Sequence, residues 1–292
     1  MIIWLASYPK SGNTWVRNIV NQIVYNDFKD KENIFDNLSR IRRYPAKKDI
    51  ENLPKIPPNG NHTESQKKEV IDHTVKNWKL SQEKINKDKN INLLKTHNML
   101  CKINLDNQGY PFTDKIDSAG VIHIVRDPRN VLTSLKNHYS HDAQEETTNM
   151  MLNEFSWIGF KNHEIPQLIS SWKNHYNSWK KFPENNLLIK YENLIKDPKQ
   201  EIFRLIEYLS KFFKLNVSMK EVDKIIDNTT FENFSEQESK GKFNENAKNT
   251  LGEVKKFFYL GPKNNWKEHL TKETLIKINS AFEKEMKELG YL

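Results

Sequence analysis

Lys10, Ser11, Gly12, Asn13 and Thr14 are a tight cluster of the residue types that hold anions. They follow a short apolar run, Ile2-Ile3-Trp4-Leu5-Ala6, which has the length of a buried strand. They precede Trp15, Val16, Ile19, Val20, Ile23 and Val24, whose spacing marks one face of a helix. A strand that enters a tight loop and then a helix aims backbone N–H groups and the positive end of the helix dipole at a ligand. Lys10 adds a full charge. The loop that binds nucleoside triphosphates reads G-x-x-x-x-G-K-[ST], with Lys after the last Gly. Here Lys10 comes two positions before Gly12, the loop's one glycine, so this is not the usual triphosphate loop.

Three further polar tripeptides or tetrapeptides sit at the ends of short apolar runs. Residues 91–94 lead into Lys95-Thr96-His97, residues 120–125 into Arg126-Asp127-Pro128-Arg129, and residues 187–189 into Lys190-Tyr191-Glu192. Helical periodicity follows in several places. It is expected over 64–79, from Val131 to Tyr139, over 165–182, after Asp197-Pro198, after the capping box Ser218-x-x-Glu221, and from Thr271 to Gly290. Strands alternating with helices predict an α/β fold, a P-loop-like three-layer sandwich with a central parallel sheet flanked by helices. Ligands of such sheets bind beyond the carboxyl ends of the strands, where all four polar segments fall.

The chain of 292 residues suits one domain spanning 1–292. Residues 26–90 and 140–165 read as excursions on the acceptor side, and 235–265 as a mobile loop. One cysteine, Cys101, excludes an internal disulfide and a cysteine-rich zinc site, and fits a cytoplasmic setting. No apolar run approaches the roughly 18 residues of a membrane span. The net charge of +8 favours an anionic ligand, but lysines alternate with acids and form no basic block, so no nucleic-acid partner is expected.

The order Tyr8-Pro9-Lys10-Ser11-Gly12-Asn13-Thr14-Trp15 resembles the 5′-phosphosulfate loop of sulfotransferases that use 3′-phosphoadenosine 5′-phosphosulfate (PAPS), with Asn13 in place of a threonine. The resemblance extends over nearly the whole chain and is thinnest at 26–90 and 140–165. Arg126, with Ser134 eight residues on, resembles the family's 3′-phosphate motif. An Arg fork meets two phosphate oxygens at once, and a Ser on the following helix faces the same anion. Lys95-Thr96-His97 resembles the segment that carries the catalytic base. The resemblance also implies that Trp15, Tyr191, Thr229 and Phe231 surround the adenine.

The implied activity is sulfuryl transfer from PAPS to a hydroxyl or amine of a small-molecule, glycan or lipid acceptor. His97 would take the acceptor's proton, Lys10 with the amides of residues 11–14 would meet charge on the leaving bisphosphate, and Lys95 would steady the transferred group. The resemblance implies no metal. The C-terminal motif departs from the family: Gly261 and Trp266-Lys267 are kept, but Tyr259-Leu260 stand where Arg-Lys is usual, and Asn264-Asn265 where Gly-Asp is usual. Lys255, Lys256 or Lys263 are candidate substitutes. Two alternatives remain. One is a P-loop kinase or NTPase, which lacks here its Gly-Lys-Ser/Thr and its Mg²⁺ carboxylate. The other is a non-catalytic nucleotide- or nucleic-acid-binding protein. Trp78, Phe155, Trp157, Phe160, Trp172 and Trp179 are either an acceptor pocket or core. Oligomeric state is not legible.

Overall fold

The computed structural model describes residues 1–26, 30–54, 62–139, 141, 143–160, 165–245 and 255–292. Along the chain run β1 (Ile2–Ser7), α1 (Asn13–Tyr25), α2 (Glu64–Ile85), β2 (Asn92–Thr96), β3 (Lys102–Leu105), β4 (Gln108–Pro111), β5 (Ser118–Val125) and α3 (Pro128–Tyr139). Then come α4 (Gln144–Leu152), β6 (Trp157–Ile158), β7 (Gln167–Leu168), α5 (Trp172–Lys180), β8 (Asn186–Lys190) and α6 (Tyr191–Lys196). The chain finishes with α7 (Pro198–Leu209), α8 (Met219–Asn228), α9 (Phe231–Ser239), α10 (Trp266–His269) and α11 (Lys272–Leu289). A parallel sheet in the order β2-β1-β5-β8, flanked by helices, makes this the α/β fold that the alternation predicts. Among the described residues no helix is long and apolar enough to cross a membrane.

The chain divides into two compact units. The first comprises Met1–Tyr8, Arg42–His123 and Asn153–Asn186. Its β1 is buried at every position, as a strand covered on both faces must be. β1 pairs in parallel with β2 from Ile2↔Asn92 to Ala6↔Thr96, so His97 follows directly on the last pair. Trp4, Tyr44, Val75, Trp78, Phe112, Val121 and Trp179 share one core cluster. Two of its polar groups are paired inside it: the Trp4 indole donates to Ser118 Oγ at 2.7 Å, and the Tyr44 hydroxyl meets Ser81 at 2.6 Å; Trp78 Nε1 is buried with no hydrogen-bond partner among the described residues. Trp78, Trp172 and Trp179 are therefore core residues, whereas Phe155 is 78% exposed.

The second unit comprises Pro9–Ile41, Ile124–Leu152 and Leu187–Leu292. Its aromatic cluster joins Phe35, Phe234, Phe243 and Phe258, with Trp15, Phe231 and Phe257 packed against it. The local signals at its helix ends hold. Asp197 accepts from Gln200 N ahead of Pro198, Ser218 and Glu221 form a capping box, Thr271 caps α11, and left-handed Gly290 ends it.

Three expected elements are corrected. The helix expected over 64–79 continues to Ile85. The helix expected over 165–182 starts only at Trp172, where the Ser171 side chain accepts from Asn174 N; Gln167 and Leu168 are instead a strand paired with β6. The expected loop over 235–265 opens inside α9, whose Thr230 cap accepts from Asn233 N. Pro57, Pro58, Gly60, Gly252 and parts of 140–165 lie outside the described residues.

Candidate active site

The loop after β1 is built by two left-handed residues, Lys10 at φ 64° and Gly12 at φ 101°. Glycine is required at the second. A Cβ there would lie 2.7 Å from Tyr191 Cδ2, so the phenol ring rests on the loop backbone itself. Among the described residues no side chain caps α1 and no acid stands in its first turn. No described side chain therefore competes with a ligand for the positive end of this 13-residue helix.

Around the loop, the second unit gathers most of the expected donor residues by direct contact. Arg126 Nη1 donates to the Lys10 carbonyl at 3.1 Å and to Ser134 Oγ at 3.2 Å, and its guanidinium lies 4.1 Å from the Tyr191 ring centroid. Burial raises the Tyr191 pKa, opposed by the Arg126 charge. Trp15 is edge-on to Tyr191 at 5.5 Å, and its indole donates to Thr229 Oγ1 at 3.3 Å. A Cβ on Gly261 would lie 2.2 Å from Phe231, so these two are also in contact. Asp127 does not pair with Arg126. Its partner is Arg129 at 2.7 Å, both nearly buried, which leaves Arg126 directed at the loop.

Ser11 Oγ and Arg126 Nε are buried and lack hydrogen-bond partners among the described residues. Unpartnered buried donors are costly unless a ligand satisfies them. Two donors of this kind beside an uncapped helix N-terminus fit the phosphate groups of a nucleotide. The expectation missed two residues here. Phe257 takes the Lys10 ammonium over its ring, 3.4 Å from the centroid, and Glu238 fixes the backbone of that segment by accepting from Phe257 N at 2.6 Å and Phe258 N at 3.0 Å. Glu238 is buried in the fold, but in sequence it is one acid among several in a polar stretch and carries no signal of this role.

In the first unit, His97 Nδ1 is 2.8 Å from the Ser7 carbonyl and 3.2 Å from Ser7 Oγ. A carbonyl only accepts, so Nδ1 carries the hydrogen and Nε2 the lone pair. The peptide group of His97 is held from both sides. Its N–H donates to Gln167 Oε1 at 2.6 Å, and its carbonyl accepts from the His175 ring. His175 Nε2 has no partner among the described residues, so this bond runs through Nδ1. His97 keeps part of its surface exposed, yet its ring is enclosed enough that burial, helped by the Lys95 charge, holds its pKa well below the usual imidazole range. It is neutral at neutral pH. Gln167 and His175 were not singled out as site residues, because they meet His97 only through the fold.

The family model described as the sulfotransferase domain matches residues 2–290, and the chain belongs to that family. The amine sulfotransferase of Oryctolagus cuniculus is 24% identical over 296 residues, covering 98% of this chain and 81% of that protein. Two solved structures share the fold. Retinol dehydratase with retinol and adenosine 3′,5′-bisphosphate (PAP) aligns with TM-score 0.61 at 18% identity, over 98% of this chain and 81% of that one. Retinol dehydratase with androsterone and inactive cofactor PAP aligns with TM-score 0.57 at 16% identity, over 98% and 80%. This chain is a PAPS-dependent sulfotransferase.

Proposed function

We propose that the enzyme sulfates a hydroxyl or amine of a small-molecule acceptor, with His97 as general base and Lys10 stabilising the leaving group. The observation that carries the donor side is the pair of buried, unpartnered donors, Ser11 Oγ and Arg126 Nε, beside the open end of α1. PAPS, when bound, supplies the sulfuryl group and departs as PAP. Lys10 and the amides of residues 11–14 neutralise charge growing on the bridging oxygen. Arg126 and Ser134 hold the 3′-phosphate, and Trp15, Tyr191, Thr229 and Phe231 enclose the adenine. His97 Nε2 takes the acceptor proton as the new bond to sulfur forms, while the Ser7 carbonyl accepts from Nδ1 of the resulting imidazolium. Lys95 steadies the transferred group. As in phosphoryl transfer, positioning and electrostatics carry most of the rate.

The relatives' printed names, an amine sulfotransferase and a retinol- and androsterone-bound enzyme, favour small acceptors over glycans. The lone cysteine supports a cytoplasmic setting. The test is transfer from radiolabelled PAPS to a panel of phenols, aliphatic alcohols, sterols and amines. Labelled product with at least one acceptor, lost in Lys10→Ala and His97→Ala, is expected. Full turnover in His97→Ala would remove it as the base.

A further inference from the structure

We propose that Asn264 makes Ser134 an obligatory hydrogen-bond donor and so selects nucleotides that carry a 3′-phosphate. The proposal rests on the reading of Arg126 and Ser134 as the 3′-phosphate site. Asn264 follows a short turn at Gly261–Lys263 and is 7% exposed. Its Nδ2 donates to the Asn130 carbonyl at 2.8 Å. That oxygen only accepts, which fixes the orientation of the amide. The second hydrogen of Nδ2 points to Ser134 Oγ at 3.2 Å, and Oδ1 accepts from Thr133 Oγ1 at 2.7 Å.

A serine hydroxyl has two lone pairs and one hydrogen. Here both lone pairs are engaged, one by Asn264 and one by Arg126 Nη1 at 3.2 Å. Ser134 is left with a hydrogen to give and nothing to receive with. An ionised phosphate offers only acceptors and takes that hydrogen in a charge-assisted bond. A ribose 3′-hydroxyl is an uncharged acceptor and takes the same hydrogen in a weaker, neutral bond. Asn264-Asn265 stand where the family pattern has Gly-Asp, and a glycine in the first place carries no such amide. Asn264 also lies close in sequence to Tyr259-Leu260, where the usual Arg-Lys pair is missing.

Calorimetric titration of the full chain with PAP and with adenosine 5′-monophosphate isolates the effect, since the two differ only in the 3′-phosphate. The wild type binds PAP more tightly. Asn264→Ala lowers PAP affinity about tenfold and that of the monophosphate by less. Asn264→Asp keeps the side-chain shape, accepts the Ser134 hydrogen and lowers PAP affinity further. In a Ser134→Ala background, Asn264→Ala adds nothing. An unchanged ratio of the two affinities in Asn264→Ala, an equal loss for both nucleotides, or additivity with Ser134→Ala overturns the proposal. A wild type indifferent to the 3′-phosphate overturns the underlying reading of the pocket as well.

Discussion

His175 ties the stability of the first unit to pH. It is 1% exposed, edge-on to Tyr8 at 5.6 Å and 6.3 Å from His123. Burial lowers its pKa to about 3, against the opposing bond to the His97 carbonyl. In the unfolded chain it titrates near the ordinary value of about 6.5. Above that value both states are neutral and pH has no effect through this residue. As pH falls through 6.5, the unfolded chain takes up a proton that the folded protein refuses, so stability is lost until about pH 3. Between pH 6.5 and pH 5 the loss from His175 alone is about 1.6 kcal/mol, a sizeable part of a typical folding free energy. His123 and His97, both lowered by burial first, act in the same direction. Asn at this position keeps a donor at the Nδ1 place and does not titrate. Urea unfolding followed by tryptophan fluorescence, wild type against His175→Asn, reads the effect. The variant is the less stable at pH 8, and the gap narrows by about 1.6 kcal/mol from pH 6.5 to pH 5. A gap that stays constant over that interval refutes the linkage.

Gly12→Ala forces a side chain into φ 101° and into the Tyr191 ring, 2.7 Å away. The backbone strain costs about 1–2 kcal/mol, and PAP no longer raises the melting temperature. Lys10→Ala lowers kcat by about 10²–10³ without unfolding the protein, measured by transfer assay and melting curve. His97→Ala lowers kcat by about 10²–10⁴ while PAP affinity by calorimetry is unchanged; a matching loss of PAP affinity would argue against a base. The acid limb of kcat/KM lies below pH 6.5, because the His97 pKa is lowered. Lys95→Gln removes one lowering charge, so the limb of its residual activity moves to higher pH.

The parts of the fold that are legible in sequence are those fixed by neighbours in the chain. β1, its loop and α1 announce themselves through apolar run, turn residues and helical spacing within 25 residues. Asp197-Pro198, Ser218 with Glu221, and Thr271 with Gly290 mark helix ends by groups three or four residues apart. What escaped depends on distant partners. β7 is two residues long and exists through pairing with β6, so Ile169 reads as helical although the helix waits for its Ser171 cap. α9 carries few apolar residues, and its Phe234 is buried in a cluster with Phe35, Phe243 and Phe258, of which Phe35 comes from far along the chain. In the site, Gln167 reaches His97 across 70 residues and Asn264 reaches Ser134 across 130. No spacing rule covers such pairs.

The division of the chain separates two kinds of physics. The residues assigned to the donor, from Lys10 and Arg126 to Tyr191, Thr229, Phe231 and Gly261, all fall in the second unit. They act through fixed charge and aimed N–H groups, whose hold on an anion weakens as salt screens it. His97 falls in the first unit, with His123 and His175, and each of these rings is held neutral by burial. The proton transfer proposed for His97 and the acid stability of the first unit therefore draw on one set of groups. The burial that keeps His97 a lone-pair acceptor at neutral pH also makes the first unit lose stability in acid. A substitution that relieved this acid lability by opening the cluster to water would raise the His97 pKa toward 6.5 and carry the acid limb of turnover upward with it.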